Sequence, residues 1–341
     1  MKGRSTTNTA SFQVTATGSA LLLAFAVSLA TLGFALSANA NERKTVIIAF
    51  DVPGAGTGSG QGTEAFAINP AGAITGSYVD SGGVFHGFVR ASDGAITKFD
   101  VPGAGNGVDA FVFGINPAGT TAGWWYDTVG LGFAHGFVRT RDGAITKFDA
   151  PGASQTWAFN INLAGTVAGY YNAHSGVNGD DLFRGYVRAP NGAITTFDAP
   201  GAGTGPGQGT FTATVTGLNP AGALTGNYLD AGYVYHGYVR APNGTNTTFD
   251  APGAGTGAFQ GTVGFAISPN GTITGLYIDS GSVSHGYVRA PNGAITTFDV
   301  PGAGTGPGQG TTPGYITPPG AIVGYYLDSS NVIHGFLLEG E

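Results

Sequence analysis

Phe66 to Val101 reads FAINPAGAITGSYVDSGGVFHGFVRASDGAITKFDV, and its rhythm decides the fold. Four short runs of β-branched and aromatic residues, FAIN, AITGSYVD, VFHGFVRA and AITKFDV, are parted by PAG, SGG and SDG. Runs of this kind between turn-forming clusters predict four successive strands. Asn69-Pro70-Ala71-Gly72 has the preferences of a type I turn, with Asn first, Pro second and Gly fourth. Asp93-Gly94 is a tight hairpin signal, because both residues tolerate positive φ. No run has a helical period.

The stretch is one of six copies. Phe-Asp recurs at Phe50-Asp51, Phe99-Asp100, Phe148-Asp149, Phe197-Asp198, Phe249-Asp250 and Phe298-Asp299, with spacings of 49, 49, 49, 52 and 49. A second marker keeps the same phase: His86-Gly87-Phe88, His135-Gly136-Phe137, His236-Gly237-Tyr238, His285-Gly286-Tyr287 and His334-Gly335-Phe336, with Arg184-Gly185-Tyr186 in the third unit. The hairpin signal returns at Asp142-Gly143, Asn191-Gly192, Asn243-Gly244 and Asn292-Gly293. Four antiparallel strands in about 49 residues match a propeller blade, and the expected fold is an all-β, six-bladed β-propeller. A parallel β-solenoid is the competing repeat architecture, but hairpins inside each unit favour antiparallel pairing. The sixth unit stops after its third strand, Val332 to Leu338, while Thr45 to Asp51 aligns with the fourth-strand sequence Ala95 to Asp100. The expectation is that this N-terminal strand closes the last blade, which removes an unpaired edge. Both faces of each strand are apolar or small, as a sheet packed on two sides requires.

Lys2 and Arg4 precede the apolar run Ala20 to Leu36, which is followed by Ser37-Ala38-Asn39-Ala40 and a polar restart at Asn41. This is the pattern of a signal peptide over residues 1–40, with small residues at the −3 and −1 positions, and the run is short for a spanning helix. An uncleaved anchor is the alternative. The expected mature chain, 41–341, is a single extracytoplasmic domain, secreted or periplasmic, and a monomer. Cleavage removes two positive charges and takes the formal charge from −7 to −9, against the basic stripe that nucleic acid needs. With no Cys, disulfides, thiol catalysis and Cys-ligated zinc are excluded. Disorder is excluded by 42% hydrophobic and 11% aromatic residues.

The unit resembles the HAF family of extracellular repeats, which carry a His-Ala-Phe tripeptide after an Asn-x-x-Gly-x-hydrophobic-x-Gly segment. The matching residues are Ile68-Asn69-Pro70-Ala71-Gly72 with Gly76, then His86-Gly87-Phe88 and its copies, through all six units. Gly stands where the family name has Ala, and Val-Arg follows where Leu-Trp is usual. The resemblance implies a secreted bacterial protein and lends little to mechanism.

Most acids belong to the repeat. Of 16 Asp, only Asp109, Asp180 and Asp181 fall outside Phe-Asp, the second-strand ends and the hairpin turns. The repeated histidines fall on third strands, spread by the repeat, and are expected to bond the nearby Asp, as in Asp80 with His86 and Asp279 with His285. A ring of single ligands is not a zinc site. Calcium held by Asp51-type carboxylates is weakly supported, with one acid per loop. The inner strands carry Ala67, Gly114, Asn160, Gly217, Ala266 and Tyr315 at equivalent positions, which supply no pair of carboxylates for glycoside cleavage. Neither G-x-S-x-G nor H-E-x-x-H is present.

The Gly-rich connections such as Val52 to Thr63 share a face with the second-to-third strand loops, and that face is the expected binding surface. Gln61, Gln208, Gln260 and Gln309 recur there before the inner strand, and closure of the loop by its own Gln is the favoured reading. Departures from the repeat concentrate in units two and three: Trp124, Trp125, Trp157 and the insertion Asn172 to Asp181, which holds His174 and Asp181. With Glu64 and Asp109 these form the candidate ligand-binding set, aromatics beside acids and amides suiting a glycan or a protein. The expected function is non-catalytic binding or scaffolding, with no cofactor. The alternatives are an extracellular polysaccharide hydrolase or lyase and a structural envelope or matrix protein.

Overall fold

The computed structural model describes residues 49–338 apart from 60, 104–109, 128–132, 175–180, 214–216 and 318–319. The chain divides into Met1–Asp51 and Val52–Glu341. In the first part only Ala49, Phe50 and Asp51 are described, and none is in a strand. The expected strand at Thr45 to Asp51 therefore lies mainly outside the described residues.

Among the described residues from Val52 onward there are 23 strands and no helix. They form six consecutive antiparallel meanders, five of four strands and a last of three. Unit one runs Gly62–Ile68, Ile74–Val79, Phe85–Arg90 and Ile96–Phe99, each paired with the next. The separate four-stranded sheets expected from the sequence hold for units one and two. Units three to six merge into one 15-stranded sheet, because single parallel bridges join each third strand to the next first strand, Phe183 to Gly209, Tyr235 to Gly261 and Ser284 to Gly310.

The Asn-Pro-Ala-Gly turn forms as its sequence dictates. Gly72 N–H donates to Asn69 O, and Asn69 Oδ1 accepts from the N–H groups of Ala71 and Ala73. Its other amide atom works between units: Asn69 Nδ2 donates to Asn116 O at 3.0 Å, Asn116 to Asn162 O at 3.3 Å, Asn162 to Asn219 O at 3.5 Å and Asn219 to Ser268 O at 3.3 Å. In units five and six Ser268 and Thr317 hold the position, too short to continue the chain of amides.

Each unit is packed by residues of the His-Gly-aromatic and Phe-Asp markers. Phe88, Phe137, Tyr186, Tyr238 and Tyr287 have no exposed surface. The marker glycine leaves room for the Phe of the fourth strand: a Cβ at Gly87 would lie 2.5 Å from the Phe99 ring, and one at Gly286 2.5 Å from Phe298. That Phe also carries the arginine of the following unit, with the Arg139 guanidinium 4.6 Å from the Phe99 ring centre and Arg240 4.8 Å from Phe197. Such stacking buries the arginine stem while its charge meets an aromatic face.

Unit four departs from the others on its inner strand. The spacing of 52 gives this unit three more residues than its neighbours, and its first strand spans only Gly209–Thr212. In units one, two, five and six the first strand continues past this level through a bulge.

Candidate functional site

The repeated acids and histidines bond one another. His86 Nε2 lies 3.4 Å from Asp80 Oδ2, and its Nδ1 lies 2.6 Å from Asp100 Oδ1. The ring stacks on Tyr78 at 4.8 Å. The same clamp recurs at His135 with Asp127 and Asp149, His236 with Asp230 and Asp250, and His285 with Asp279 and Asp299. In unit three the second-strand acid is replaced by Ala173, and Arg184 stands in for the histidine, 3.7 Å from Asp198. A fixed cation suits a position with one carboxylate, whereas a histidine has two ring nitrogens to satisfy. Among the described residues no group of three or more His, Asp or Glu is placed to hold a metal ion.

The glutamines close their loops. Gln61 Oε1 accepts from Gly58 N–H at 2.9 Å, and its Nε2 donates to Ser81 O at 3.1 Å, joining the Gly-rich connection to the second-to-third strand turn. Gln208, Gln260 and Gln309 repeat both bonds. A Cβ at Gly56 would stand 2.3 Å from Gln61 Oε1, so the glycine makes room for the amide. The two sets of loops thus meet on one face, as the sequence implied.

One face of the meanders varies from unit to unit. Strand register aligns Glu64, Phe111, Trp157, Phe211, Val263 and Thr312 on the first strands. Opposite them on the second strands stand Ser77, Trp124, Tyr170, Asn227, Leu276 and Tyr325. In units two and three these positions are aromatic and pack together: Phe111 stacks on Trp124 at 4.1 Å, Phe113 meets Phe159 at 5.4 Å, and Phe159 meets Tyr170 at 5.2 Å. Tyr170 passes the contact to Phe211 of unit four at 5.4 Å. Beyond that the first-strand side chains shrink to Val263 and Thr312.

A trough opens where they do. A cavity of about 370 Å³ is lined by Tyr170, Phe211, Asn227, Tyr235, Phe265 and Leu276, among others. A neighbouring one of about 570 Å³ shares Phe265 and Leu276 and adds Ser284, Thr312, Tyr325 and Ile333. Both fall in the size range of small-molecule sites. Among the described residues that line either cavity, none bears a carboxylate, amine, guanidinium or imidazole. Burial pushes the Tyr170 phenol up to about 12, with the Tyr126 phenol adding to it, and burial also raises Tyr235. Both are neutral hydrogen-bonding groups at physiological pH. The lining offers aromatic faces, hydroxyls and an amide.

The candidate residues from the sequence are only partly brought together. Trp124 and Trp157 are half-buried in the aromatic packing that ends at the trough, Trp157 lying 5.3 Å from Tyr170. Trp125 is on the opposite face, buried against Val101, Ala110, Val112 and Phe137, with Lys147 5.0 Å from its ring centre. Glu64 is exposed on the first strand of unit one. Asp181 receives Asn172 Nδ2 at 2.5 Å and is paired in register with His174. Asp109 lies outside the described residues. The trough itself draws on units three to six, and its signal was available: Val263, Leu276 and Thr312 are small at positions where units two and three carry rings.

No family profile matches this chain, and neither does a curated protein. Solved structures are similar to it in fold. A catalytically inactive virginiamycin B lyase from Staphylococcus aureus, solved with quinupristin, superposes with a TM-score of 0.51 at 17% identity over 83% of this chain and 87% of its own. A streptogramin B lyase gives 0.42 at 16% identity over 81% and 84%. The Aleuria aurantia lectin, in complex with a fucosylated GlcNAc, gives 0.44 at 11% identity over 81% and 91%. At such identity the first likeness shows the fold alone, which is of the β-propeller type.

Proposed function

We propose that this chain is an exported, non-catalytic propeller-type protein that binds a glycan or protein in the trough spanning units three to six. The observation that carries this reading is the lining: Tyr170, Phe211, Tyr235, Phe265 and Tyr325 interspersed with Asn227, Ser284 and Thr312, and free of ionised groups. Aromatic faces take the apolar faces of rings, and neutral donors and acceptors orient them. General acid–base chemistry is best served by a group that titrates near the working pH, and burial moves the phenols of Tyr170 and Tyr235 away from it. The fold type does not decide the matter, since the similar S. aureus protein is a lyase. A glycan-array screen of residues 41–341 tests the reading. Binding to a defined glycan, weakened about tenfold by Phe265→Ala, supports it. Turnover of the bound glycan would remove its non-catalytic part, and binding indifferent to Phe265 would move the site elsewhere.

We also infer that the sixth meander takes its fourth strand from Thr45 to Asp51. Its third strand, Ile333–Leu338, pairs only with Ile322–Leu327 among the described residues. The support is in the sequence: Thr45 to Asp51 follows the fourth-strand pattern of Ala95 to Asp100 and ends in the Phe-Asp pair that follows each of the other five units' third strands.

A further inference from the structure

The cavity of about 370 Å³ exists because unit four and its neighbour lack side chains that sister units possess. Ala213 stands where units two and three carry Phe113 and Phe159, Asn227 where they carry Trp124 and Tyr170, and Val263 of unit five where they carry Phe111 and Trp157. With rings at those positions, units two and three are packed across this face. The hollow thus coincides with the substitution of smaller side chains.

A second observation is the lining itself: Tyr170, Phe211, Tyr235, Val263, Phe265 and Leu276 surround the hollow, and Asn227, half-buried opposite Phe211 on the variable face, is its amide. A polar group taken out of water needs a hydrogen-bond partner, and a ligand seated against Asn227 has to supply one.

We infer that the cleft between units four and five is a binding site for an uncharged, largely apolar ring compound or ring-bearing side chain that carries one hydrogen-bonding group. An ion would have to leave water for a wall that carries no countercharge among the described residues, while the hydroxyls of a larger ligand find Ser284, Thr312 and Tyr325 in the neighbouring cavity. This assignment rests on the trough being the ligand site and narrows what enters its unit-four end.

The uncharged dye Nile red is the probe. Titration of residues 41–341 should give saturable binding with one dye per chain. Ala213→Phe with Asn227→Tyr, which copies unit three, should raise the dissociation constant at least about tenfold while leaving the melting temperature unchanged. Leu276→Trp, which copies unit two, fills the hollow from the other side and serves if the double variant fails to fold. Unchanged dye binding in a folded, filled variant would overturn the assignment. If the chain bound glycans in a Phe265-dependent way but took up no dye, the apolar assignment would fail and the trough reading would stand. Failure of both glycan and dye to bind would overturn the two together.

Discussion

Asn116 shows how a single side chain serves both turn and assembly. Its Oδ1 accepts Thr120 N–H at 3.0 Å, closing the turn, and its Nδ2 donates to Asn162 O of the next unit. The residue is 3% exposed, so water cannot replace either bond. Asn116→Ala is expected to lower the unfolding free energy by about 2–3 kcal/mol, read from urea denaturation, because a buried carbonyl and a turn N–H lose their partner. Asn270→Ala, at an exposed turn residue, should cost much less. The turn half of this arrangement was legible in Asn-Pro-Ala-Gly. The lateral half was not, since a carbonyl 46 residues away leaves no local trace. The second-strand acids behave likewise. Backbone N–H bonds from Val84, with those from Gly82 and the His86 side chain, hold the Asp80 carboxyl below its ordinary value, and Val332, Ser330 and His334 do so for Asp328. A carboxyl depressed in the folded state adds stability that is complete above its unfolded value and lost as pH falls through the folded one. Urea midpoints measured downward from about pH 5 should therefore fall, with a shallower decline in Asp80→Asn. An equally steep decline in that variant would assign the acid sensitivity to other groups.

At the scale of the strand, the His-Gly-aromatic marker is a packing device. The glycine admits the fourth-strand Phe, the aromatic fills the unit, and the Phe in turn supports the next arginine. Gly286→Ala would place a methyl 2.5 Å from the Phe298 ring and is expected to cost about 1–3 kcal/mol by overpacking, measured by thermal or urea unfolding. Strand order and turns could be predicted because both are local and repeated. The candidate site was harder to see for a related reason. Trp124, Trp125 and Trp157 stand out in a sequence because they are large, whereas a hollow is marked by small residues, Ala213 and Val263, which attract no notice until register aligns them with Phe159 and Trp157. The spacing of 52 marked the unit concerned, yet spacing does not say which strand takes the added residues. The inner strand of that unit ends at Thr212, next to Ala213 of the hollow.

For the molecule as a whole, the distribution of exposed apolar surface is uneven. Val323, Tyr325, Ile333 and Leu337 of the sixth meander are 41%, 44%, 67% and 59% exposed, although their counterparts in unit five, Thr274, Leu276, Ser284 and Val288, are small or covered. The third strand of this meander is paired on one side alone among the described residues, and such an edge with apolar residues beside it invites association unless something occupies it. Thr45 to Asp51 has the strand-forming residues Val46, Ile47 and Ile48 and ends in the Phe-Asp pair that the other units use at this place. If that segment supplies the fourth strand proposed above, Gly335 should respond to substitution as Gly286 does. Gly335→Ala should then destabilise residues 41–341 about as much as Gly286→Ala, and the effect should vanish in a chain starting at Val52. That shorter chain should also self-associate in sedimentation or light scattering. A harmless Gly335→Ala in the longer chain would show that the edge is covered by something other than Phe50, with a second copy of the chain the next occupant to test.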